Sequence, residues 1–290
     1  MKLATTTGDF SPYTNDQLKI MEYIKQSGFD YVDYSFGIDY NSRSGVYSDD
    51  WKDYAKRVKE HCEKIGVKLI QSHAPMGRPL ADGNEDFLND TKRCIEACAE
   101  MGIPNVVIHS GYLPGISKQE CLERNKAFYE KLLPLAEKHD VTILTENFDI
   151  MCIEGMYWID NAPDLLELLE LVNHPLFHTV WDCGHANMQP LTQEQGITLL
   201  GDHIKGLHIH DNNGEKDFHM FPYLGTLDMD SFVAGLKKIG YDGYFTFEAA
   251  RFLKPSATEG EYFKVDLQLK LAAEKMLYEL GRSIVQYYSL

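Results

Sequence analysis

The stretch from residue 204 to 219 brings together side chains that can bind a metal ion. It begins as an apolar strand pattern and then becomes a polar loop. Because successive side chains of a strand point to opposite faces, His208 and His210 share one face. The loop adds Asp217 and His219, spaced as D-x-H. Imidazole and carboxylate groups this close together at a strand end are typical of a metal site, and a polar loop with ordinary surface histidines is the alternative.

Further potential ligands lie at the ends of other predicted strands. They are His73 and His109 after the third and fourth strands, Glu146 after the fifth, Asp182 and His185 after the sixth, and Glu248 after the eighth. Several carboxylates that converge on one point would repel each other unless a cation lay between them. We therefore predict a divalent metal ion at a centre formed by Glu146, Asp182, His208 and Glu248.

The alternation of side chains along the strands supports a common orientation of these groups. If Glu248 faces the axis of a barrel, Phe247 faces the surrounding helices, and the same holds for His109 and Ile108. Polar groups then point to the axis and apolar side chains point outward. The other candidates in these segments, His203, His210 and Cys183, are interpreted as structural residues.

Apolar strand-like runs alternate with helical patterns from end to end, which predicts parallel strands joined by crossover helices. Eight such units in 290 residues predict a single α/β domain over residues 1–290, a (β/α)8 TIM barrel. An open doubly wound sheet is the rival, but the segment after the first strand has no G-x-G-x-x-G turn. The longest irregular segments, 37–50, 74–84, 148–161, 211–227 and 250–260, all follow predicted strands, where barrel enzymes build their active sites.

Two helical patterns have features that the structure can test. The pattern over Lys118–His139 contains Pro134, which we expect to kink the helix. The closing helix is predicted over Tyr262–Leu280.

Composition restricts the partners of the protein. The chain has 28 Lys and Arg residues against 44 Asp and Glu residues, a net charge of −16, which opposes non-specific nucleic-acid binding. No apolar run approaches the length of a membrane span. The six cysteines form no C-x-x-C pair, and Cys94 and Cys98, one helical turn apart, are interpreted as reduced core thiols. An intracellular protein without structural disulfides is therefore expected, and the predicted location is cytoplasmic.

The ordered motifs resemble those of the xylose isomerase-like barrel superfamily, which includes ketose 3-epimerases, inosose-processing enzymes and endonuclease IV. The resemblance covers nearly the whole chain and rests on S-H-A-P, V-I-H-S-G, L-T-E-N, W-D-C-G-H, L-H-I-H-D-N, D-F-H and F-E-A-A. In the epimerase-like members one divalent ion is held by a Glu, an Asp, a His and a Glu. The matching residues are Glu146, Asp182, His208 and Glu248.

The resemblance implies a metal-dependent isomerase or epimerase that acts on a sugar or sugar phosphate. Glu146 and Glu248 would be the catalytic acid–base pair beside the ion. The expected cofactor is Mn, Zn, Mg or Co, and a homo-oligomer is possible. The residues expected to bind substrate are His73, His109, His185, Arg251 and Trp158; packing or a subunit contact is the alternative for Trp158.

The resemblance also implies a second function, a zinc phosphodiesterase that acts on abasic DNA. In endonuclease IV a three-zinc cluster needs additional ligands, and His73, His109, His185, Asp217 and His219 match them. A duplex also needs basic loops. The loops carry isolated basic residues such as Arg43, Arg78, Lys216 and Lys254, beside Asp39, Asp49, Asp50, Asp82, Glu85, Asp86, Asp149, Glu154, Asp160 and Glu215. This acidic rim favours the small-molecule function.

Overall fold

Eight parallel strands form the centre of the computed structural model, which describes residues 1–148, 161–249 and 265–290. The strands are β1 (Lys2–Thr6), β2 (Tyr31–Ser35), β3 (Lys68–His73), β4 (Asn105–Val107), β5 (Thr142–Glu146), β6 (Phe177–Asp182), β7 (Ile204–His208) and β8 (Tyr244–Phe247). They pair in the order β7-β6-β5-β4-β3-β2-β1-β8. The β7–β8 seam is joined beyond β7, where Ile209 donates to the Thr246 carbonyl at 2.9 Å and accepts from the Glu248 amide at 3.0 Å. The predicted barrel is confirmed.

Helices surround the strands in the described part of the chain. They are α1 (Gln17–Gln26), α2 (Phe36–Ser42), α3 (Trp51–Ile65), α4 (Glu85–Met101), α5 (Lys118–Glu130), α6 (Leu133–His139), α7 (Ala162–Val172), α8 (Cys183–Ala186), α9 (Gln193–Leu200), α10 (Met229–Lys238) and α11 (Leu267–Tyr288). Gly66 and Gly102 end α3 and α4 in the left-handed conformation, which costs glycine little. Asp16 starts α1 by accepting hydrogen bonds from the amides of Leu18 and Lys19.

The two faces of the strands pack against different surroundings. Outward residues such as Ile108, Leu207 and Phe247 belong to the large core between the strands and the helices. Val107, Leu144 and Val180 form a separate small cluster, and their alternation with the outward residues places them inside the barrel. The predicted outward orientation of Ile108 and Phe247 is therefore confirmed.

Three expectations differ from the structure. Pro134 does not kink one helix: α5 ends at Glu130 and Pro134 lies in the first turn of α6, where its missing amide costs no hydrogen bond. The closing helix runs to Tyr288, eight residues beyond the predicted end. The predicted loop 37–50 contains most of α2. Its Asp39, assigned to the acidic rim, is buried instead, and hydrogen bonds from the Tyr34 hydroxyl and the Val46 amide to its carboxylate compensate the burial.

Candidate metal centre and active site

The four residues predicted to form the metal centre come from four neighbouring strand ends. Glu146 ends β5, Asp182 ends β6, His208 ends β7 and Glu248 directly follows β8. One donor atom from each lies within 4.8 Å of the others, and we call these residues the central group. Parallel strands in a barrel end at the same rim, which is why residues far apart in sequence converge here.

Charge in the central group is balanced by histidine. His208 Nδ1 lies 2.8 Å from Glu146 Oε1 and 3.4 Å from Glu248 Oε2. Burial disfavours the charged imidazolium, but the two carboxylates raise the pKa of His208 well above its usual value. Burial likewise opposes ionisation of Glu146, but the His208 charge and the His109 hydrogen bond hold the pKa of Glu146 well below its usual range. The opposite pKa shifts of His208 and Glu146 therefore favour an imidazolium–carboxylate pair at this point.

Glu146 is also the meeting point of two further predicted residues. His109 Nε2 lies 2.7 Å and His73 Nε2 lies 3.5 Å from Glu146 Oε2. Burial lowers the pKa of His109, which favours a neutral ring there. His73, Glu146 and His208 also satisfy the geometry of a three-donor group.

A second donor group lies beside the central one. It consists of His185, His210, Asp217 and His219, with one donor atom of each within 4.8 Å of the others, and we call it the outer group. Burial opposes ionisation of Asp217, but His219, 2.7 Å away, keeps the pKa of Asp217 below its usual range. His210, interpreted from the sequence as structural, is part of this group, and its Nε2 lies 3.1 Å from Asp182 Oδ2. Asp182 itself contributes its donor atom to the central group.

Backbone carbonyls fix the orientation of three histidines. Nδ1 of His73 lies 2.7 Å from the Ala74 carbonyl, and Nδ1 of His185 and of His219 lie 2.9 and 2.7 Å from the carbonyls of Asn147 and Glu248. Because a carbonyl can only accept, each Nδ1 must carry the proton, and each Nε2 is directed into the site. Metal-binding histidines are commonly oriented in this way.

Asn147 ties the ends of β5 and β6 together. Its side-chain amide donates to the Asp182 carbonyl and its oxygen accepts from the Asp182 amide, both at 2.8 Å. The backbone carbonyl of Asn147 also binds His185 Nδ1. Asn147 therefore fixes the spacing between Glu146, Asp182 and His185. In the sequence, Asn147 stands out only as part of the motif L-T-E-N, which predicts no role for it.

Asp211 holds the loop that carries Asp217 and His219. Its carboxylate accepts from the amides of Gly225 and Leu227, both at 2.9 Å. His219 itself has φ +46°, a left-handed backbone that is uncommon outside glycine and is often found at functional sites.

The donor atoms fit divalent ions. Three carboxylates and one imidazole in the central group suit Mn, Mg or Co, whereas three imidazoles and one carboxylate in the outer group suit Zn. Within the described residues, the buried atoms Nε2 of His185 and Nδ1 of His210 have no hydrogen-bond partner. A buried ring nitrogen without a partner is costly, and a ligand at the outer group would satisfy it. Trp158 and Arg251, expected to bind substrate, lie outside the described residues.

The chain matches the family model described as xylose isomerase-like TIM barrel over residues 21–264. It belongs to that family. A curated relative, fructoselysine 3-epimerase of Shigella flexneri, is 32% identical over 196 residues, which cover 63% of this chain and 67% of that protein.

Solved structures share the fold at lower identity. The IolI protein with a bound zinc atom has a TM-score of 0.78 and 18% identity, with 100% of both chains covered. The 3-keto-D-glucoside 4-epimerase YcjR from E. coli has a TM-score of 0.73 and 19% identity, covering 98% of this chain and 99% of that one. These likenesses establish the common barrel. Among the described residues, no helix is both long and apolar enough to cross a membrane.

Proposed function

We propose that this protein is a metal-dependent isomerase or epimerase that acts on a small sugar or sugar phosphate. The observation that carries the proposal is the central group, in which two glutamates from β5 and β8 flank an Asp and a His at one rim of the barrel. A divalent ion held there would supply Lewis-acid charge beside a carbonyl and a neighbouring hydroxyl.

Glu146 and Glu248 then perform the proton transfers. One carboxylate removes the proton from the carbon next to the carbonyl, and the other returns a proton to that carbon or its neighbour. The glutamates differ in environment: Glu146 is buried among three histidines, whereas 24% of the Glu248 side chain is exposed. Because Glu146 is buried and Glu248 is partly exposed, we expect the substrate to enter the site from the Glu248 side.

The surrounding histidines bind the hydroxyl groups of the substrate in this proposal. Nδ1 of His73 and of His185 face carbonyls, so the Nε2 atom of each is directed into the site, where that of His73 lies 3.5 Å from Glu146 Oε2. Arg251 and Trp158 are further candidates for contact with the sugar. The name of the Shigella relative, fructoselysine 3-epimerase, supports epimerisation as the reaction class.

The proposal is tested by proton exchange in heavy water. We expect NMR to show loss of the signal from the carbon-bound proton next to the carbonyl for at least one ketose, inosose or phosphate of these, and only with a divalent ion present. Glu146→Gln and Glu248→Gln should each abolish the exchange. Glu60→Gln, the same chemical change on an exposed residue of α3, is the control and should leave it intact.

The same samples test the nuclease alternative. A metal count per chain by mass spectrometry, with anomalous scattering to locate the ions, tells whether one or both donor groups are filled. Metal-dependent cleavage of an abasic duplex, without exchange on any sugar, would overturn the proposal and assign the nuclease. The net charge of −16 argues against that result, because phosphates approaching the protein meet like charge.

A further inference from the structure

A buried polar contact crosses the barrel interior beneath the central group. Asp33 of β2, Gln71 of β3 and His208 of β7 are each 1% exposed. The neighbours of Asp33 along the strand, Val32 and Tyr34, belong to the outer core, so Asp33 faces the interior. A carboxylate in this apolar interior has to be held by hydrogen bonds.

A bulge brings two of these residues side by side. Val32 pairs with Leu69, but Asp33 pairs with Gln71, so β3 carries one extra residue at this point. Gln71 Nε2 donates to Asp33 Oδ2 at 2.7 Å and thereby fixes the carboxylate. A Cβ atom at Gly206 would lie 2.2 Å from Gln71 Oε1, so the glycine in β7 makes room for this amide.

His208 depends on this carboxylate for its orientation. Its Nδ1 faces Glu146 and Glu248, and its Nε2 lies 3.2 Å from Asp33 Oδ2. A neutral imidazole has one protonated nitrogen, so Nδ1 can bind a metal only if Nε2 carries the proton. Gln71 Nε2 lies 2.9 Å from the same ring atom and can only donate, so it favours the tautomer with the proton on Nδ1, whereas Asp33 favours the tautomer with the proton on Nε2. Asp33 is the acceptor for the Nε2 proton.

We propose that Asp33 is a positioning residue that holds His208 with its proton on Nε2 and its Nδ1 directed at the divalent ion. The inference rests on the metal centre of the proposed function and adds a residue from the opposite side of the barrel. Partners of this kind affect metal affinity by about 10- to 100-fold when they are removed.

The test is a titration of the metal-free protein with MnCl2, read by calorimetry and by the electron paramagnetic resonance of free Mn²⁺. We expect the dissociation constant to rise by about 10- to 100-fold in Asp33→Ala. Asp33→Asn keeps an oxygen but loses the charge, and it should show a smaller increase. Gln71→Met removes the donor that fixes Asp33 together with the amide beside His208 Nε2 but keeps the Asp33 carboxylate, and it should show the smallest increase.

A second readout separates positioning from a general loss of structure. In the Zn²⁺-loaded protein, long-range ¹H–¹⁵N spectra should show His208 with a protonated Nε2, assigned by the loss of its signals in His208→Gln. That proton signal should move upfield or vanish in Asp33→Asn. Asp39→Asn, the same change at another buried aspartate of the β2–α2 region, should alter neither the dissociation constant nor the His208 signals.

The outcomes distinguish the two proposals. If the wild-type chain binds no divalent ion, the metal centre and this inference both fall. If it binds Mn²⁺ and a folded Asp33→Asn variant binds it equally well with unchanged His208 signals, only this inference falls. An equal loss of affinity in Asp39→Asn would also overturn it, since the effect would then be a loosening of the β2 region.

Discussion

Two buried clusters of carboxylates in this molecule are neutralised in different ways. The central group has its acids facing histidines. The second cluster, between β1 and α11, consists of Thr5, Asp9, Lys270 and Glu274, and we call it the β1–α11 cluster. Lys270 Nζ lies 3.1 Å from Glu274 Oε2, and Thr5 Oγ1 lies 2.9 Å from Glu274 Oε1.

The difference lies in what supplies the positive charge. Burial and the Glu274 charge raise the pKa of Asp9 well above its usual value, which favours its protonated form, and Lys270 lies beside Glu274 as its counter-charge. A cluster balanced in this way has no need of an ion. In the central group the positive charge sits on an imidazole, which can give up its proton and accept a metal ion in its place. The lysine ammonium therefore serves a structural cluster, whereas a histidine ring that can lose its proton allows a metal site.

The largest expected effect comes from a substitution in the central group. Glu248→Gln should lower kcat/KM by about 10³-fold, because a proton-transfer group and a ligand are lost together. The free energy of unfolding of the metal-free protein should change little, since the Glu248 side chain is partly exposed. Calorimetric metal titration measures metal binding, the exchange assay measures activity, and urea unfolding measures the free energy of unfolding. Full metal content with full activity would show that the central group is assigned wrongly.

The next largest effect is expected from a substitution in the β1–α11 cluster. Lys270→Met should lower the free energy of unfolding by about 3–5 kcal/mol, because a buried carboxylate loses its cation. The metal dissociation constant should stay unchanged. Adding Glu274→Met to Lys270→Met should recover part of the stability, since the unbalanced charge is removed. A double variant less stable than the single one would contradict the charge-balance explanation.

A third buried carboxylate sharpens the comparison, because its contacts among the described residues are neutral. Burial raises the pKa of Asp39 to about 6 from 3.8, against hydrogen bonds from Tyr34 and the Val46 amide. The folded state therefore binds the proton more tightly, so the contribution to stability is complete below pH 3.8 and is lost as pH rises through about 6.

The shift corresponds to about 3 kcal/mol between those limits. Asp39→Asn should remove this pH dependence, and the difference in unfolding free energy between wild type and variant should change across that window. Urea unfolding at pH 4 to 7 measures it. A difference that stays constant with pH would show that Asp39 is ionised in the folded protein throughout.

The smallest expected effect is the gain in stability when a divalent ion binds. At a concentration 100 times its dissociation constant, a divalent ion should stabilise the wild-type protein by about 2.7 kcal/mol. Lys270→Met should gain the same increment, because the two clusters do not share a residue. Thermal unfolding with MnCl2 and with a chelator measures both. An increment that disappears in Lys270→Met would show that the clusters are coupled.

Local pattern was enough to predict the barrel and the members of the central group. Strand periodicity of two and helix periodicity near 3.6 are properties of short segments, so the order of elements could be read without the tertiary structure. The rule that parallel strands end at one rim then predicted that Glu146, Asp182, His208 and Glu248 meet. Asp33 is also noticeable in the sequence, because it is the one charged residue in the strand YVDYS.

Only the tertiary structure decided which groups touch across the barrel. The contact between Asp33 and His208 depends on barrel closure and on a bulge between β2 and β3, and neither can be read from the pattern of a single strand. The place of His210 in the outer group and the role of Asn147 depend on the stagger between β5, β6 and β7. Sequence fixes which way a side chain points from its own strand, but the distance between two strands' side chains is set by packing of the whole sheet.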